Sequence, residues 1–218
     1  AALCSDCEHL LCAQLQCDRA GLRSHPGRAL GAVDIAQLDA QVQRLADGEP
    51  LGYLLGDQPF HNITLQVDAR VLVPRSDTET LVEQALTHCR GYNKTVNVLD
   101  LGTGSGAIAI ALAAALPTLT ISATDCSGGA LEVAAANAAR LGVDVRFQQS
   151  DWFSELTGRF DLIVSTPPYI AANDPHLPAL HHEPAEALTS VTDGLEDLRV
   201  TIAGAPRHLT AGGRLMVE

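Results

Sequence analysis

The sequence predicts an α/β fold: a parallel sheet covered by helices, preceded by a small helical domain and a β-hairpin linker. Three observations predict it. From Val96 onward, short apolar runs alternate with helical ones, the pattern of a parallel sheet covered on both faces. Residues 49–75 contain a stretch of period two, which marks strands. Residues 1–48 repeat their apolar positions at three and four, which marks helices.

The helical part comes first. Leu3, Cys7, Leu10, Leu11 and Leu15 recur at helical spacing, and a second helix runs from Ile35 to Leu45. Asp34 stands where an N-cap belongs and Gly48 lies just past the end. Gly21 to Gly31, with His25-Pro26-Gly27 inside it, is a turn-rich link. Phe60-His61-Asn62-Ile63-Thr64-Leu65-Gln66-Val67 then alternates apolar and polar, and Val71-Leu72-Val73 supplies a second arm of a hairpin. A helix follows to about Cys89, with Ser76 and Glu79 at capping-box spacing. Val96–Leu99, Thr120–Ala123, Val145–Gln148, Leu162–Ser165 and Arg214–Val217 are the strands. Gly106–Leu116 and Gly129–Leu141 are the helices between the first three. The expected domains are therefore 1–48, a linker at 49–75, and 76–218. The chain opens without Met, inside a helical pattern, and stops at Glu218 on an apolar strand, so a cut at both ends is expected.

Composition narrows the function. At 46% hydrophobic and 18% charged, the 218 residues can build a sizeable core. The net charge of -12 argues against direct nucleic-acid binding, which needs a basic face to neutralise phosphates. Ala107 to Leu116 is about half a membrane span, so no membrane partner is expected. Four of the six cysteines crowd positions 4, 7, 12 and 17. Cys4-x2-Cys7 would open a zinc site, but no second tight pair follows, and free thiols in a reducing, cytoplasmic setting are expected. His176, His181 and His182 lack the Cys or Glu cluster that would complete a metal site, so no metal is expected.

Val98-Leu99-Asp100-Leu101-Gly102-Thr103-Gly104-Ser105-Gly106 joins the first strand to its helix. Gly102, Gly104 and Gly106 let the backbone turn and approach a ligand, and the helix N-terminus points at the same spot. NAD, nucleotide and S-adenosylmethionine sites all use such a loop. Here the spacing is G-x-G-x-G, no Gly-Lys-Ser follows, and Asp125 ends the second strand where it can accept two ribose hydroxyls. The set favours S-adenosylmethionine over NAD. Thr103 and Ser105 complete the loop, and Trp152 after the third strand either walls an adenine or covers core.

Thr166-Pro167-Pro168-Tyr169 follows the strand Phe160–Ser165. Prolines fix φ near about −65° and donate nothing, yet their carbonyls accept. A stiff, acceptor-rich edge beside an aromatic ring suits a planar amide or amino group. Arg75, in Pro74-Arg75-Ser76, either contacts substrate or pairs with a carboxylate.

These motifs together resemble the bacterial peptide-chain release-factor glutamine methyltransferase family. VLDLGTGSGAIAIA, SDWFS, FDLIVSTPPYI and VLVPRSDTETLVEQAL carry the likeness, with Asp174-Pro175-His176-Leu177, Glu183-Pro184 and Asp193-Gly194-Leu195. The resemblance implies a Rossmann-like methyltransferase domain behind a helical substrate-recognition domain. It implies methyl transfer from S-adenosylmethionine to the glutamine amide of the Gly-Gly-Gln motif in release factors. A cytoplasmic monomer is expected. By position, Gly102 to Gly106, Asp125, Trp152 and Thr166 would hold the cofactor. Thr166 to Tyr169 and Arg75 would hold the glutamine, with Thr166, Pro167 and Tyr169 nearest the chemistry. The related ribosomal-protein glutamine methyltransferases share these features, and the Asp-Thr-Glu after Ser76 leans toward the release-factor type. Adenine amino-group methyltransferases carry similar proline runs, and a shell that binds without catalysis is the remaining alternative. The family has Asn where this chain has Thr166. Thr lacks the amide side chain, so impaired transfer is expected.

Overall fold

The computed structural model describes residues 2–191 and 193–218. The chain divides into two compact units, 1–57 and 58–218.

The first unit holds helices α1 (Ala2–Leu15), α2 (Arg19–Ser24), α3 (Ala32–Ala46) and α4 (Leu51–Leu55). Asp18 caps α2 by accepting the Gly21 amide at 2.7 Å. Asp34 does not sit at the N-cap of α3 as expected. The helix begins three residues earlier, with Gly31 at its N-cap, and Asp34 reaches back from the third position to accept the Gly31 amide at 3.2 Å. Helical structure also continues past residue 48. Pro50 opens α4 and Gly56, at φ +76°, closes it.

The second unit begins with a hairpin. β1 (Asp57–Phe60) pairs with β2 (Ile63–Gln66) across a turn in which His61 takes φ +51°. Val71-Leu72-Val73, expected as a strand, is not one. Val71 and Val73 are buried, but the Val71 amide donates to the Asp68 carbonyl at 3.1 Å and the Val73 amide to Glu183 Oε2 at 3.0 Å. With those donors satisfied, no ladder is needed. The expected capping box at Ser76 and Glu79 is also absent. α5 (Thr78–Cys89) starts later, at Asp77, and Ser76 instead receives the Glu79 amide on its backbone carbonyl at 3.1 Å.

The remaining elements are β3 (Val96–Leu101), α6 (Ala107–Ala115), β4 (Leu119–Asp125), α7 (Gly128–Leu141), β5 (Arg146–Gln149), β6 (Phe160–Ser165), β7 (Ile170–Ala171), β8 (Thr189–Ser190), α8 (Glu196–His208) and β9 (Leu209–Val217). The five-stranded sheet runs β5-β4-β3-β6-β9, every pair parallel. Strands buried on both faces read as continuous apolar runs, and β6 is buried at every position. Val98, Leu162 and Val164 face α5, α6 and the hairpin. Leu99, Leu101 and Ile163 face the other way, toward Ala205 of α8. α8 went unread in the sequence because its apolar positions are few and Pro206 interrupts its last turn.

The strand order reverses between β3 and β6. The chain leaves β3 toward β4 and later returns to the opposite side, so the loops after β3 and β6 diverge and leave a crevice at the carboxyl edge.

Candidate functional site

That crevice is a cavity of about 420 Å³, within the range of small-molecule sites. Its lining includes Arg75, Gly102, Thr103, Gly104, Ser105, Asp125, Trp152, Thr166, Pro167, Pro168 and Tyr169. Residues far apart in sequence thus converge, and one expected member does not. Gly106 is absent from the lining. It sits at φ +84°, and a Cβ there would fall 2.7 Å from Ile110 Cδ1 and 3.2 Å from Ala134 Cβ. Its glycine serves the close approach of α6 and α7 and the turn into α6.

The glycine loop is held from below. The amides of Gly102 and Thr103 both donate to the Thr124 carbonyl, at 2.9 and 2.8 Å. Gly102 and Gly104 adopt φ +81° and +55°, and a Cβ on either would meet nothing within 4 Å. There the backbone conformation, not crowding, demands glycine. Asp100 is fully buried beneath the loop, where Oδ2 accepts the Thr103 hydroxyl at 2.6 Å and the Ala109 amide at 3.1 Å. Burial pushes its carboxyl up to about 6 against those two bonds, and the Asp125 charge adds to the rise.

Asp125 ends β4 with each oxygen engaged once. Oδ2 accepts the Gly104 amide at 2.8 Å and Oδ1 the Ser127 amide at 2.9 Å. A carboxylate offers about four acceptor sites, so two remain for a diol. Trp152, at φ +48°, is pinned from both sides of the chain. Its carbonyl accepts the Ser150 hydroxyl at 2.8 Å, and the next residue, Phe153, stacks on His208 with centroids 4.9 Å apart. Phe153 also occupies the space a Cβ of Gly204 would need. Ser150 in turn donates its amide to the Asp125 carbonyl at 3.0 Å, which ties this loop to β4.

On the far side, Ser165 closes β6 by donating its hydroxyl to the Leu101 carbonyl at 2.6 Å. Thr166 follows with a hydroxyl that makes no hydrogen bond among the described residues, and Tyr169 is 64% exposed at the rim. Arg75 pairs with Glu183 Oε1 at 2.5 Å while lining the cavity. Glu183, buried, thereby holds both Val73 and Arg75. Ser150 lies in the SDWFS run, Ser165 in FDLIVSTPPYI and Glu183 in the Glu183-Pro184 pair, but nothing local in those runs marks the supporting contacts they make.

The lining fits S-adenosylmethionine. The glycine loop leaves room for close backbone approach, Asp125 keeps acceptors for a ribose, and Trp152 gives an apolar wall. Thr124 Oγ1, buried on a lining residue, has no partner among the described residues. Among those residues no three His, Cys, Asp or Glu side chains gather as a metal site, and His176 pairs with Asp174 at 2.8 Å. No helix among them is long and apolar enough to cross a membrane.

Known proteins share this fold. The methyltransferase small domain family matches residues 76–217, and the PrmC N-terminal domain family matches 4–56. The solved structure of a methyltransferase from Pyrococcus furiosus superposes with a TM-score of 0.51 at 20% identity, covering 70% of this chain and 67% of that one. A SAM-dependent methyltransferase from Agrobacterium tumefaciens gives 0.55 at 16% identity, covering 74% and 51%. Among relatives, a release factor glutamine methyltransferase of Xylella fastidiosa is 47% identical over 217 residues, 98% of this chain and 78% of that protein. One from Pseudomonas aeruginosa is 44% identical with the same coverage. One from Vibrio cholerae is 42% identical, over 98% of this chain and 76% of that protein.

Fold and site together define an S-adenosylmethionine-dependent methyltransferase with a central parallel sheet. The likeness to whole relatives narrows the class: the chain belongs to the release factor glutamine methyltransferase family.

Proposed function

We propose that this enzyme methylates the side-chain amide nitrogen of the glutamine in the Gly-Gly-Gln motif of peptide chain release factors, and that Thr166 slows the transfer. The carrying observation is the convergence of Gly102–Ser105, Asp125 and Trp152 with Thr166–Tyr169 around one cavity. The names of the relatives support the acceptor. The net charge of -12 fits a protein acceptor better than the flipped adenine of a nucleic acid. The same reading places the enzyme in the cytoplasm, beside its acceptor.

The glycine loop, Asp125 and Trp152 bind the cofactor side. When bound, S-adenosylmethionine supplies an electrophilic methyl group on a sulfonium. The acceptor amide is a poor nucleophile because its lone pair is shared with the carbonyl. The work of this chain is therefore to orient that nitrogen and stabilise the positive charge that grows on it. The Pro167 carbonyl accepts one N–H of the amide. The residue at 166 accepts the other, and Tyr169 covers the amide from the rim. Arg75, fixed by Glu183, steadies the acceptor side. The displaced proton leaves to water after transfer, so no strong base is needed.

Thr166 is the weak member. An Asn side chain at this position carries its acceptor one atom farther from the backbone than a threonine hydroxyl. The shorter, branched Thr reaches the amide only loosely, and loss of one preorganised contact costs roughly a hundredfold in rate. Turnover on a release factor, read by intact mass, tests both parts. Thr166→Asn is expected to add one methyl to the glutamine roughly a hundredfold faster. Equal rates remove the role of Thr166. No methyl on the glutamine with either protein removes the acceptor.

A further inference from the structure

Of the four thiols in the first unit, none of which lines the methyl-transfer site, two come together at the end of α1. α1 ends at Leu15, and Gln16 takes φ +51°. The Cys17 amide then donates back to the Cys12 carbonyl at 3.0 Å. A bond spanning five residues, with a left-handed residue just before the donor, is the Schellman closure of a helix. That closure folds the donor residue over the last helical turn, so its side chain meets the side chain of the residue that accepts. Here both are cysteines, joined through the backbone by that 3.0 Å bond, and their thiols lie close enough to influence one another. The start of α2 confines the pair further, since a Cβ on Gly21 would lie 3.3 Å from Cys17 Cβ.

The two thiols differ in access. Cys12 is buried and Cys17 is half-buried, lining a groove of about 310 Å³ with Leu11, Leu15, Leu22 and Leu30. Burial pushes the Cys12 thiol above its ordinary range, and the neighbouring Cys17 adds to the rise. Cys17 is therefore the thiol that meets a dissolved oxidant first. Both cysteines are free thiols. The backbone bond holds the two residues side by side, whereas distant pairs need backbone movement before they can bond.

We infer that Cys12 and Cys17 form a reversible thiol–disulfide modification site at the end of α1, oxidised by small-molecule disulfides of the glutathione type. The Cys17 thiolate attacks one sulfur of glutathione disulfide, forms a mixed disulfide and releases one glutathione thiolate. The Cys12 thiol gives its proton to solvent and attacks the Cys17 sulfur. The Cys12–Cys17 bond forms and the second glutathione thiolate leaves. The protein loses two electrons and two protons, and one glutathione disulfide becomes two glutathiones. The new bond closes on the wall of the groove, so the redox state sets the shape of that wall.

The test is incubation of the full chain with glutathione disulfide, followed by peptide mass mapping. The expected product is an internal disulfide between Cys12 and Cys17 that a dithiol reductant reverses. Cys12→Ser is expected to accumulate glutathione on Cys17, with a mixed disulfide at least about tenfold longer-lived than in the unmodified sequence, because the resolving thiol is gone. Cys17→Ser, at the more accessible position, is expected to leave Cys12 unmodified, and it serves if the buried substitution prevents folding. A Cys4→Ser, Cys7→Ser double variant is expected to oxidise as before. The inference is overturned if glutathione persists on Cys17 equally with and without Cys12. Mapping of the bond to another pair, or no loss of thiol at all, overturns it too.

Discussion

Asp100 shows how much the site costs at the scale of one residue. It is fully buried, Oδ1 has no partner among the described residues, and its carboxyl is pushed up to about 6. An unfolded aspartate titrates near about 4. Between those values the folded chain holds a proton that the unfolded chain has lost, so this residue's contribution falls as pH rises from about 4 to about 6 and is flat above. Two units correspond to roughly 3 kcal/mol. Asp100→Asn removes the titration. The stability of the unmodified sequence minus that of the variant is expected to fall by roughly 3 kcal/mol between pH 4 and pH 7.5 in urea unfolding. A difference that does not move with pH removes this account. The glycine loop above Asp100 was plain in the sequence, because three glycines and a following helix carry a strong local signal. The reason for Gly106 was not, since its neighbours Ile110 and Ala134 lie on two helices whose packing no local pattern reveals.

At the scale of elements, the acceptor edge depends on a turn that contains none of its residues. Ile170 and Ala171 of β7 pair with Thr189 and Ser190 of β8, and the Ile170 amide donates to the Leu188 carbonyl at 3.0 Å. Gly194, at φ +77°, then packs directly on the Tyr169 carbonyl. A Cβ there would collide with that carbonyl and lie 3.2 Å from the Ala171 amide nitrogen. Gly194→Ala is therefore expected to shift the Thr166–Tyr169 run. Turnover on the acceptor should fall at least about tenfold, with the cofactor dissociation constant within about twofold of the unmodified value. Calorimetry beside single-turnover kinetics checks this, and parallel losses in both would place Gly194 in general folding instead. Elements with strong periodicity, such as β3, α6, β4 and α7, were legible from the sequence. Val71–Val73 was not, because buried apolar side chains imitate a strand whichever partner takes the backbone amide.

Across the second unit, Asn137 joins three parts. It is fully buried on α7, where Oδ1 accepts the Gln66 amide at 2.7 Å and Nδ2 donates to the Gln66 carbonyl at 2.9 Å. Nδ2 also donates to the Ser105 carbonyl at 3.1 Å. One side chain thus ties the hairpin, a sheet-covering helix and the glycine loop. Asn137→Leu leaves one buried and two part-buried backbone groups short of a partner, and a loss of roughly 2 kcal/mol is expected in urea unfolding. Cofactor affinity is expected to weaken with it, since Ser105 belongs to the lining. A loss under about 0.5 kcal/mol, the range of ordinary surface substitutions, would remove Asn137 from this role.

The sequence alone determined the alternation of strands and helices, the glycine loop, Asp125 and the Thr-Pro-Pro-Tyr run. Each is written in local spacing and residue chemistry, which folding does not alter. The tertiary structure decided which of these meet. The sheet order β5-β4-β3-β6-β9 sets the loops after β3 and β6 on two sides of one crevice, and only then do Gly102 and Thr166 share a cavity. It also decided the partners of Glu183, Asn137 and Gly194, and the meeting of Cys12 with Cys17. Those contacts depend on how the chain turns and packs, and a buried polar group or a left-handed turn is satisfied by whatever the fold brings to it.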